Sequence, residues 1–369
     1  MRPFECACGA QVFFENTLCL TCHRELGFLP DVGRMGTFEP VNGTAPASVT
    51  PVGGTGAYRK CENNRVEGVC NWMVPADDPE PLCQACRLND VIPDLSDPEN
   101  RKRWAAVESA KRRLVYTLDT LKLRVVPKSV DPERGLAFDI KNDSGSARVM
   151  TGHDEGLITL NLSEADPVLR EKARLAMNER YRTLLGHFRH EIGHYYWDVL
   201  IRDGQYLVRF RALFGDDRSD YAQALERYYA SAPGTAWKGS FVSQYATSHP
   251  WEDWAETWAH YLHMVDTLET ARAYKVQYSG APKAAEANGT FESLINDWLA
   301  LTVVLNALSR SMGHEDLYPF ELGAPVQAKL AFIHEVISAN AASALARDVD
   351  GAKPAARGAP AAAATGAPS

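Results

Sequence analysis

The sequence contains His190-Glu191-Ile192-Gly193-His194, in which two histidines stand four positions apart and a glutamate follows the first of them. On an α-helix, residues four positions apart differ by about 40° in direction and about 6 Å in height, so both imidazole rings can reach one metal ion. Zinc lowers the pKa of a bound water to about 7, and a neighbouring carboxylate can take its proton. The motif therefore predicts a hydrolytic zinc held by His190 and His194, with Glu191 as the general base.

A catalytic zinc usually has three protein ligands and one open position, so a further ligand is expected downstream of this motif. Pro250 suits the first turn of a helix, and Glu252 and Glu256 would then share one face of that helix. These residues alone leave both glutamates open as the third ligand. Four nearby histidines are interpreted as structural or solvated residues and not as ligands: His187, His249, His260 and His263.

The two motifs together resemble those of gluzincin metallopeptidases, and more closely those of a bacterial family of zinc-binding metallopeptidases with an N-terminal zinc-ribbon region. In gluzincins of this kind, the first glutamate of a Glu-x-x-Ala-(Glu, Asp or Asn) segment ligates zinc, and Glu252-Asp253-Trp254-Ala255-Glu256 matches that form. The resemblance implies that Glu252 is the third ligand and that Glu256 orients a histidine ligand through its ring N–H. The opposite assignment of the two glutamates stays open.

The resemblance also implies two further parts of the site. Some similar enzymes place a tyrosine seven residues before the glutamate ligand, where its hydroxyl donates to the developing oxyanion, and Tyr245 stands at that distance from Glu252. Similar catalytic cores have a strand whose edge binds extended peptide, and residues 156–162 are the candidate strand. An ordinary position inside a sheet is the alternative for that segment.

All eight cysteines lie between residues 6 and 86, and the rest of the chain contains none. In a reducing compartment, such clustering favours metal binding over disulfides. Two structural zinc sites are predicted, one from Cys6, Cys8, Cys19 and Cys22 and the other from Cys61, Cys70, Cys83 and Cys86. Three alternatives stay open: a thiolate replaced by His23, ligation shared between the two groups, and a redox role for either Cys-x-x-Cys pair.

Hydrophobic spacing places the catalytic motifs on helices. The sequence predicts helices over residues 98–122, 166–201, 205–232, 250–276, 290–311 and 325–346. The His-Glu-x-x-His motif falls on the second of these and the two glutamates on the fourth. Three tryptophans on the fourth helix are interpreted as core residues: Trp251, Trp254 and Trp258. Two short β-rich runs, residues 135–140 and 156–162, predict a small sheet.

The predicted fold class is α+β and predominantly helical, a zincin-like metallopeptidase body with a small sheet, preceded by zinc-ribbon modules. Residues 1–95 are expected to form the cysteine-rich region, with ribbons at 1–30 and 58–90 and a Pro, Gly and Thr rich linker between them. Residues 96–346 are expected to form the body. Residues 347–369 are almost entirely small residues and proline, which predicts a disordered tail.

Composition and charge narrow the function classes. The 369-residue chain is 45% hydrophobic and 23% charged, as is typical of a globular protein. Its formal net charge of -8 argues against a nucleic-acid partner, because an acidic surface repels phosphates. No secretory signal precedes Cys6, and the longest apolar run, residues 298–308, is too short to cross a membrane. A cytoplasmic location with no membrane partner is expected.

The sequence therefore predicts a zinc metallopeptidase that hydrolyses bonds in a peptide or protein substrate, with one catalytic and two structural zinc ions. One alternative is a binding or scaffold protein, in which the zinc ribbons recognise a protein partner and the peptidase-like body is not catalytic. Another is a hydrolase of a non-peptide amide, which the same metal chemistry permits. The intact His190-Glu191-x-x-His194 motif with a matching Glu252 favours the peptidase.

Overall fold

The computed structural model describes residues 1–40, 48–144, 148–177, 179, 181–232, 234–279 and 289–351, with side chains in the last range described as far as residue 343. Within these residues the predicted fold class is confirmed, because the chain is α+β and mostly helical with small sheets. The tail expected over residues 347–369 lies almost wholly outside the described residues, and the last helix continues to Gly351.

Long helices form most of the body, and the strands are short. The helices of the described residues are α1 (Glu62–Arg65), α2 (Pro98–Thr120), α3 (Pro167–Ala176), α4 (Leu184–Leu200), α5 (Leu207–Phe214), α6 (Tyr221–Ala230), α7 (Pro250–Ala273), α8 (Phe291–Ser311) and α9 (Ala324–Gly351). The strands are β1 (Phe4–Glu5), β2 (Gln11–Val12), β3 (Glu25–Leu29), β4 (Arg34–Phe38), β5 (Tyr58–Lys60), β6 (Met73–Pro75), β7 (Asn89–Val91), β8 (Ala137–Lys141), β9 (Gly152–Asp154) and β10 (Leu157–Asn161).

The largest described sheet has four strands in the order β7-β8-β10-β9. Strands β8 and β10 are parallel, with Ala137 opposite Leu157, and β9 pairs with β10 in the antiparallel direction. The prediction that residues 156–162 present a substrate-binding edge is wrong, because β8 and β9 occupy the two sides of β10. The two edge strands of this sheet are β7 and β9, and β9 packs beside α4.

Two long predicted helices are each broken into two. The prediction over residues 166–201 is wrong at its centre, since α3 and α4 are separate and Thr183 caps the start of α4 with its hydroxyl. The prediction over residues 205–232 is wrong because Gly215, at a φ of 111°, ends α5, and the Asp220 carboxylate caps α6. Single residues at the helix ends set these boundaries, and the spacing of apolar residues alone does not reveal them.

Helices α4 and α7 approach each other closely at Gly193, the residue immediately before the second histidine of the motif. A Cβ atom at this position would lie 3.0 Å from the Cα of Ala255. The indole N–H of Trp254 donates a hydrogen bond to the Gly193 carbonyl oxygen at 2.8 Å. Because Trp254 lies on the same helix as Glu252, this contact fixes the distance between the two helices that carry the motifs.

The cysteine-rich region packs directly on α2. Six of its strands form three antiparallel pairs, β1-β2, β3-β4 and β5-β6, whereas β7 joins the sheet of the body beside β8. Strand β4 lies in the stretch that was expected to be a linker. Trp72 is fully buried, with its ring centroid 4.9 Å from that of Phe28, and the Phe28 ring lies 6.0 Å from that of Tyr116 on α2. The buried Arg112 of α2 donates to the carbonyl oxygen of Val69 at 2.8 Å. One hydrophobic core therefore runs from the ribbons into the body.

One described helix, α8, is long and apolar enough to cross a membrane by length and composition alone. Its Ile295, Trp298 and Leu301 side chains are buried in the core. A core helix passes the same test of length and composition, so this single match is weak evidence for a membrane span.

Candidate metal centre

Helices α4 and α7 bring together the side chains of His190, His194 and Glu252. The two histidine Nε2 atoms are 3.2 Å apart, and they lie 3.0 Å and 3.4 Å from Oε2 of Glu252. Three ligands of a tetrahedral zinc, with bonds of about 2.0–2.1 Å, would be separated by about 3.3 Å. The donor atoms and their spacing therefore fit zinc, with a fourth position left for water or substrate.

The Glu252 carboxylate has an unsatisfied oxygen at the point where the three side chains meet. Glu252 is 1% exposed, and its Oε2 atom makes no hydrogen bond of good geometry with the described residues. Its nearest polar neighbours are the two Nε2 atoms, at 3.0 and 3.4 Å, which also face each other at 3.2 Å. A cation at this point would satisfy it.

Glu256 lies one helical turn beyond Glu252 and contacts the other side of a ligand ring. One of its carboxylate oxygens is 2.8 Å from Nδ1 of His190, and the other accepts a hydrogen bond from the Ser243 hydroxyl at 2.6 Å. Burial lowers the pKa of His190, but Glu252 and Glu256 outweigh it and hold that pKa well above its usual value. The two glutamates thus occupy different places, since Glu252 faces both Nε2 atoms and Glu256 faces one Nδ1.

Glu191 is buried beside the histidines, with 6% of its surface exposed. Burial raises the pKa of its carboxyl above the usual range, while the neighbouring His190 and His194 act in the opposite direction. A carboxylate in so dry a position holds a proton more readily than one in water, which suits a group that must accept a proton and return it.

Tyr245 lies in a short 3-10 turn, Tyr245–Thr247, just before α7. Its ring centroid is 5.9 Å from that of His190. Burial and the nearby Glu252 charge raise the pKa of the Tyr245 hydroxyl far above its usual value. The hydroxyl therefore stays protonated and is available as a hydrogen-bond donor at the edge of the site.

Tyr221 is a site residue that the sequence analysis missed. It is the first residue of α6, and its hydroxyl donates a hydrogen bond to Oε1 of Glu252 at 2.6 Å. This bond occupies one carboxylate oxygen and leaves Oε2 directed at the histidines. The available signal was the capping residue Asp220, which places Tyr221 at a helix start but does not identify its partner 31 residues away.

Two aromatic rings cover His194. Trp251, which was interpreted as a core residue, has its ring centroid 3.8 Å from that of His194. His153, on the edge strand β9, has its ring centroid 6.2 Å away, and burial together with His194 lowers its pKa to about 3. A neutral ring at His153 places no extra positive charge beside the metal ligands.

The other histidines named from the sequence have partners outside the cluster of ligands. His260 pairs through Nδ1 with the Tyr318 hydroxyl at 2.7 Å, and His249 accepts from the backbone N–H of Trp251 as the cap of α7. The ring of His263 packs on Tyr318, and His187 lies 3.4 Å from the Glu164 carboxylate.

The eight cysteines form two separate groups of four, in which all sulfur atoms lie within 4.8 Å of one another. The Sγ atoms of Cys6 and Cys22 are 3.6 Å apart, those of Cys8 and Cys19 3.7 Å, and those of Cys70 and Cys83 3.7 Å. These separations exclude disulfides, whose bond is about 2.05 Å. They match the distance of about 3.8 Å between thiolates of a tetrahedral zinc with 2.3 Å bonds.

The fold and these three clusters define a zinc-binding protein of the metallopeptidase type, with zinc-ribbon modules before the body. The family described as "Putative zinc-binding metallo-peptidase" matches residues 100–336, more than half of the chain, and a zinc-ribbon domain family matches residues 3–97. The chain belongs to this metallopeptidase family, as the resemblance of its motifs predicted.

The chain is also similar to uncharacterized proteins of Mycobacterium bovis and of two strains of Mycobacterium tuberculosis. In each case the identity is 45% over 341 residues, which cover 91% of this chain and 95% of the relative. No solved structure matches.

Replacing Tyr221 with phenylalanine is expected to weaken zinc binding at the His190 cluster by roughly 10- to 100-fold, because the Glu252 carboxylate loses the bond that orients it. Competition with a chromophoric chelator measures the affinity. Tyr206→Phe is the matched control, since the Tyr206 hydroxyl makes no hydrogen bond within the described chain. Equal zinc affinity in Tyr221→Phe and wild type would show that the bond does not position the carboxylate.

Proposed function

We propose that this protein is a zinc-dependent peptidase whose catalytic zinc is held by His190, His194 and Glu252. The observation that carries the proposal is the triangle of three ligand atoms, with sides of 3.0, 3.2 and 3.4 Å, next to the buried Glu191 carboxylate. When bound, zinc supplies a Lewis acid that lowers the pKa of a water and polarises a substrate carbonyl.

The residues of the chain have distinct roles in this proposal. Glu191 accepts the proton of the attacking water and passes it to the leaving amine. Tyr245 donates a hydrogen bond to the oxygen that gains negative charge, and its raised pKa keeps its proton in place. Glu256 holds His190 in one orientation through Nδ1, and Tyr221 does the same for Glu252.

Substrate backbone would lie along β9. This strand is one of the two edges of the four-stranded sheet, and the ring of His153 on it lies 6.2 Å from that of His194. An edge strand offers unpaired backbone groups to an extended peptide and gives affinity without reading sequence. The two cysteine groups are proposed as closed structural zinc sites, because four thiolates leave no position for substrate.

Cleavage of a peptide mixture by the purified protein tests the proposal. We expect cleavage to stop when 1,10-phenanthroline removes the catalytic zinc and to return when zinc is added. Mass spectrometry of the products identifies the cleaved bonds. Small amide and ester substrates, assayed in parallel, test the alternative that the protein is a hydrolase of non-peptide substrates. Zinc-loaded protein that cleaves no peptide would favour the scaffold or the non-peptide hydrolase instead.

A further inference from the structure

A pocket of about 550 Å³ lies between α6 and the segment that leads into α7. Its walls are largely apolar and aromatic, formed by Ala224, Tyr228, Ala236, Trp237 and Phe241. This volume lies within the range of ligand-binding pockets, about 300–1,000 Å³. The metal ligands themselves do not line it, so the pocket is a separate feature beside the proposed catalytic centre.

The pocket and the metal centre share one wall. The ring centroid of Tyr228, which lines the pocket, is 5.6 Å from that of Tyr245, and Tyr245 in turn lies 5.9 Å from His190. Thr247, in the same 3-10 turn as Tyr245, lines the pocket. A substrate bound at the metal could therefore place a neighbouring side chain in the pocket.

Two contacts fix the aromatic walls. The indole N–H of Trp237 donates to the carbonyl oxygen of Gly234 at 2.8 Å. The Lys329 ammonium lies 4.2 Å from the centroid of the Phe241 ring and pairs with the Asp253 carboxylate at 2.6 Å. Since Asp253 follows Glu252 on α7, the position of Phe241 is tied to the helix that carries a metal ligand. The pocket is thus preformed next to the site.

The polar groups of the pocket define the charge of its occupant. Arg227 lines it, and its guanidinium makes no ion pair or hydrogen bond within the described residues. No aspartate or glutamate is among the described lining residues. The Ser248 hydroxyl is buried, lines the pocket and has no hydrogen-bond partner in the described chain. The pocket therefore offers the exposed, unpaired guanidinium of Arg227 and the buried, unsatisfied hydroxyl of Ser248.

We propose that this pocket selects peptide substrates with a large aromatic residue next to the scissile bond and an acidic residue close to it in sequence. The inference rests on the proposed peptidase function. The aromatic side chain packs between Trp237, Phe241 and Tyr228, where aromatic pairs gain from edge and offset contacts as well as from burial. Arg227 attracts the carboxylate, because the pocket lining places no competing acid beside it.

Cleavage profiles of a peptide library test the aromatic preference. We expect wild type to cut beside Phe, Tyr or Trp. Ala236→Trp, which narrows the pocket, is expected to lower kcat/KM roughly 10- to 100-fold for these peptides relative to matched peptides with alanine at that position. The control is Ala222→Trp, an exposed change on α6 outside the pocket, which should leave the ratio unchanged.

Charge reversal tests the role of Arg227. Arg227→Glu is expected to replace the preference for Asp or Glu near the cut by a preference for Lys or Arg. The control is Ala222→Glu, an exposed position of the same helix outside the pocket, which should keep the wild-type profile. Binding of a fluorescent aromatic peptide to zinc-loaded Glu191→Gln protein gives a second readout, and adding Ala236→Trp should weaken this binding at least several-fold.

The outcomes separate the two proposals. If wild type cleaves peptides and all these variants have the same cleavage profile as wild type, the pocket assignment is wrong and the peptidase function still stands. Zinc-loaded wild type that cleaves no library peptide overturns the peptidase function, and the pocket assignment with it.

Discussion

Glu191→Gln is expected to lower peptide cleavage by roughly 10²- to 10⁴-fold while zinc content and thermal stability stay at the wild-type level. The amide keeps the size and burial of the side chain but cannot accept the proton of the attacking water. Glu191 lies beside the three proposed ligands and is not one of them, so the metal should be retained. Cleavage rates and zinc per chain, measured on the same preparation, check both halves of this expectation.

Glu226→Gln is the matched control, because this substitution makes the same chemical change at an exposed position of α6. It should cleave at the wild-type rate. Glu191→Gln protein that cleaves as fast as wild type, with contaminating proteases excluded, would remove Glu191 as the general base. A loss of zinc together with activity would instead place Glu191 among the groups that hold the metal.

Cys83→Ser is expected to abolish cooperative folding of the whole chain, including the peptidase body. All four cysteines of the second group are buried, and Cys86 lies 3.8 Å from the buried Glu108 carboxylate, which pairs with Lys111 of α2 at 2.8 Å. The binding free energy of structural zinc is about 10–16 kcal/mol in small zinc-binding peptides. The free energy of unfolding of a typical domain is about 5–15 kcal/mol, which is of the same size or smaller. Loss of this site therefore removes support for α2.

Cys8→Ser provides the comparison for this prediction. Cys8 is exposed, whereas all four cysteines of the second group are buried, so we expect loss of one zinc with a smaller fall in melting temperature. Thermal unfolding followed by circular dichroism, with zinc per chain, measures both variants. A Cys83→Ser protein with the wild-type melting temperature and cleavage rate would show that the second ribbon folds independently of the body.

The sequence predicted the long helices well, because strong hydrophobic spacing and clear start signals act together there. The predicted helix over residues 98–122 corresponds to α2, which Asp97 caps with Pro98 in the first turn. Residues 250–276 correspond to α7, again with a proline in the first turn. The breaks within residues 166–201 and 205–232 were missed, because single capping residues decide them locally.

The parts of the site that escaped prediction depend on contacts between distant segments. Local spacing placed His190, Glu191 and His194 on one helix, and the family resemblance supplied Glu252. Nothing near Tyr221 indicates that its hydroxyl meets Glu252, and nothing in residues 152–154 indicates that they cover the free side of β10. Those contacts follow from how α6 and the sheet pack against the motif helices, which a one-dimensional pattern does not encode.

The zinc content of wild type and of His190→Ala, both purified without added metal, tests the central claim most directly. Three zinc ions per chain in wild type and two in His190→Ala are expected, since the two cysteine groups would remain loaded. His187→Ala, one turn earlier on α4, is the control and should keep three. An unchanged zinc count in His190→Ala would contradict the claim that His190 holds a catalytic zinc.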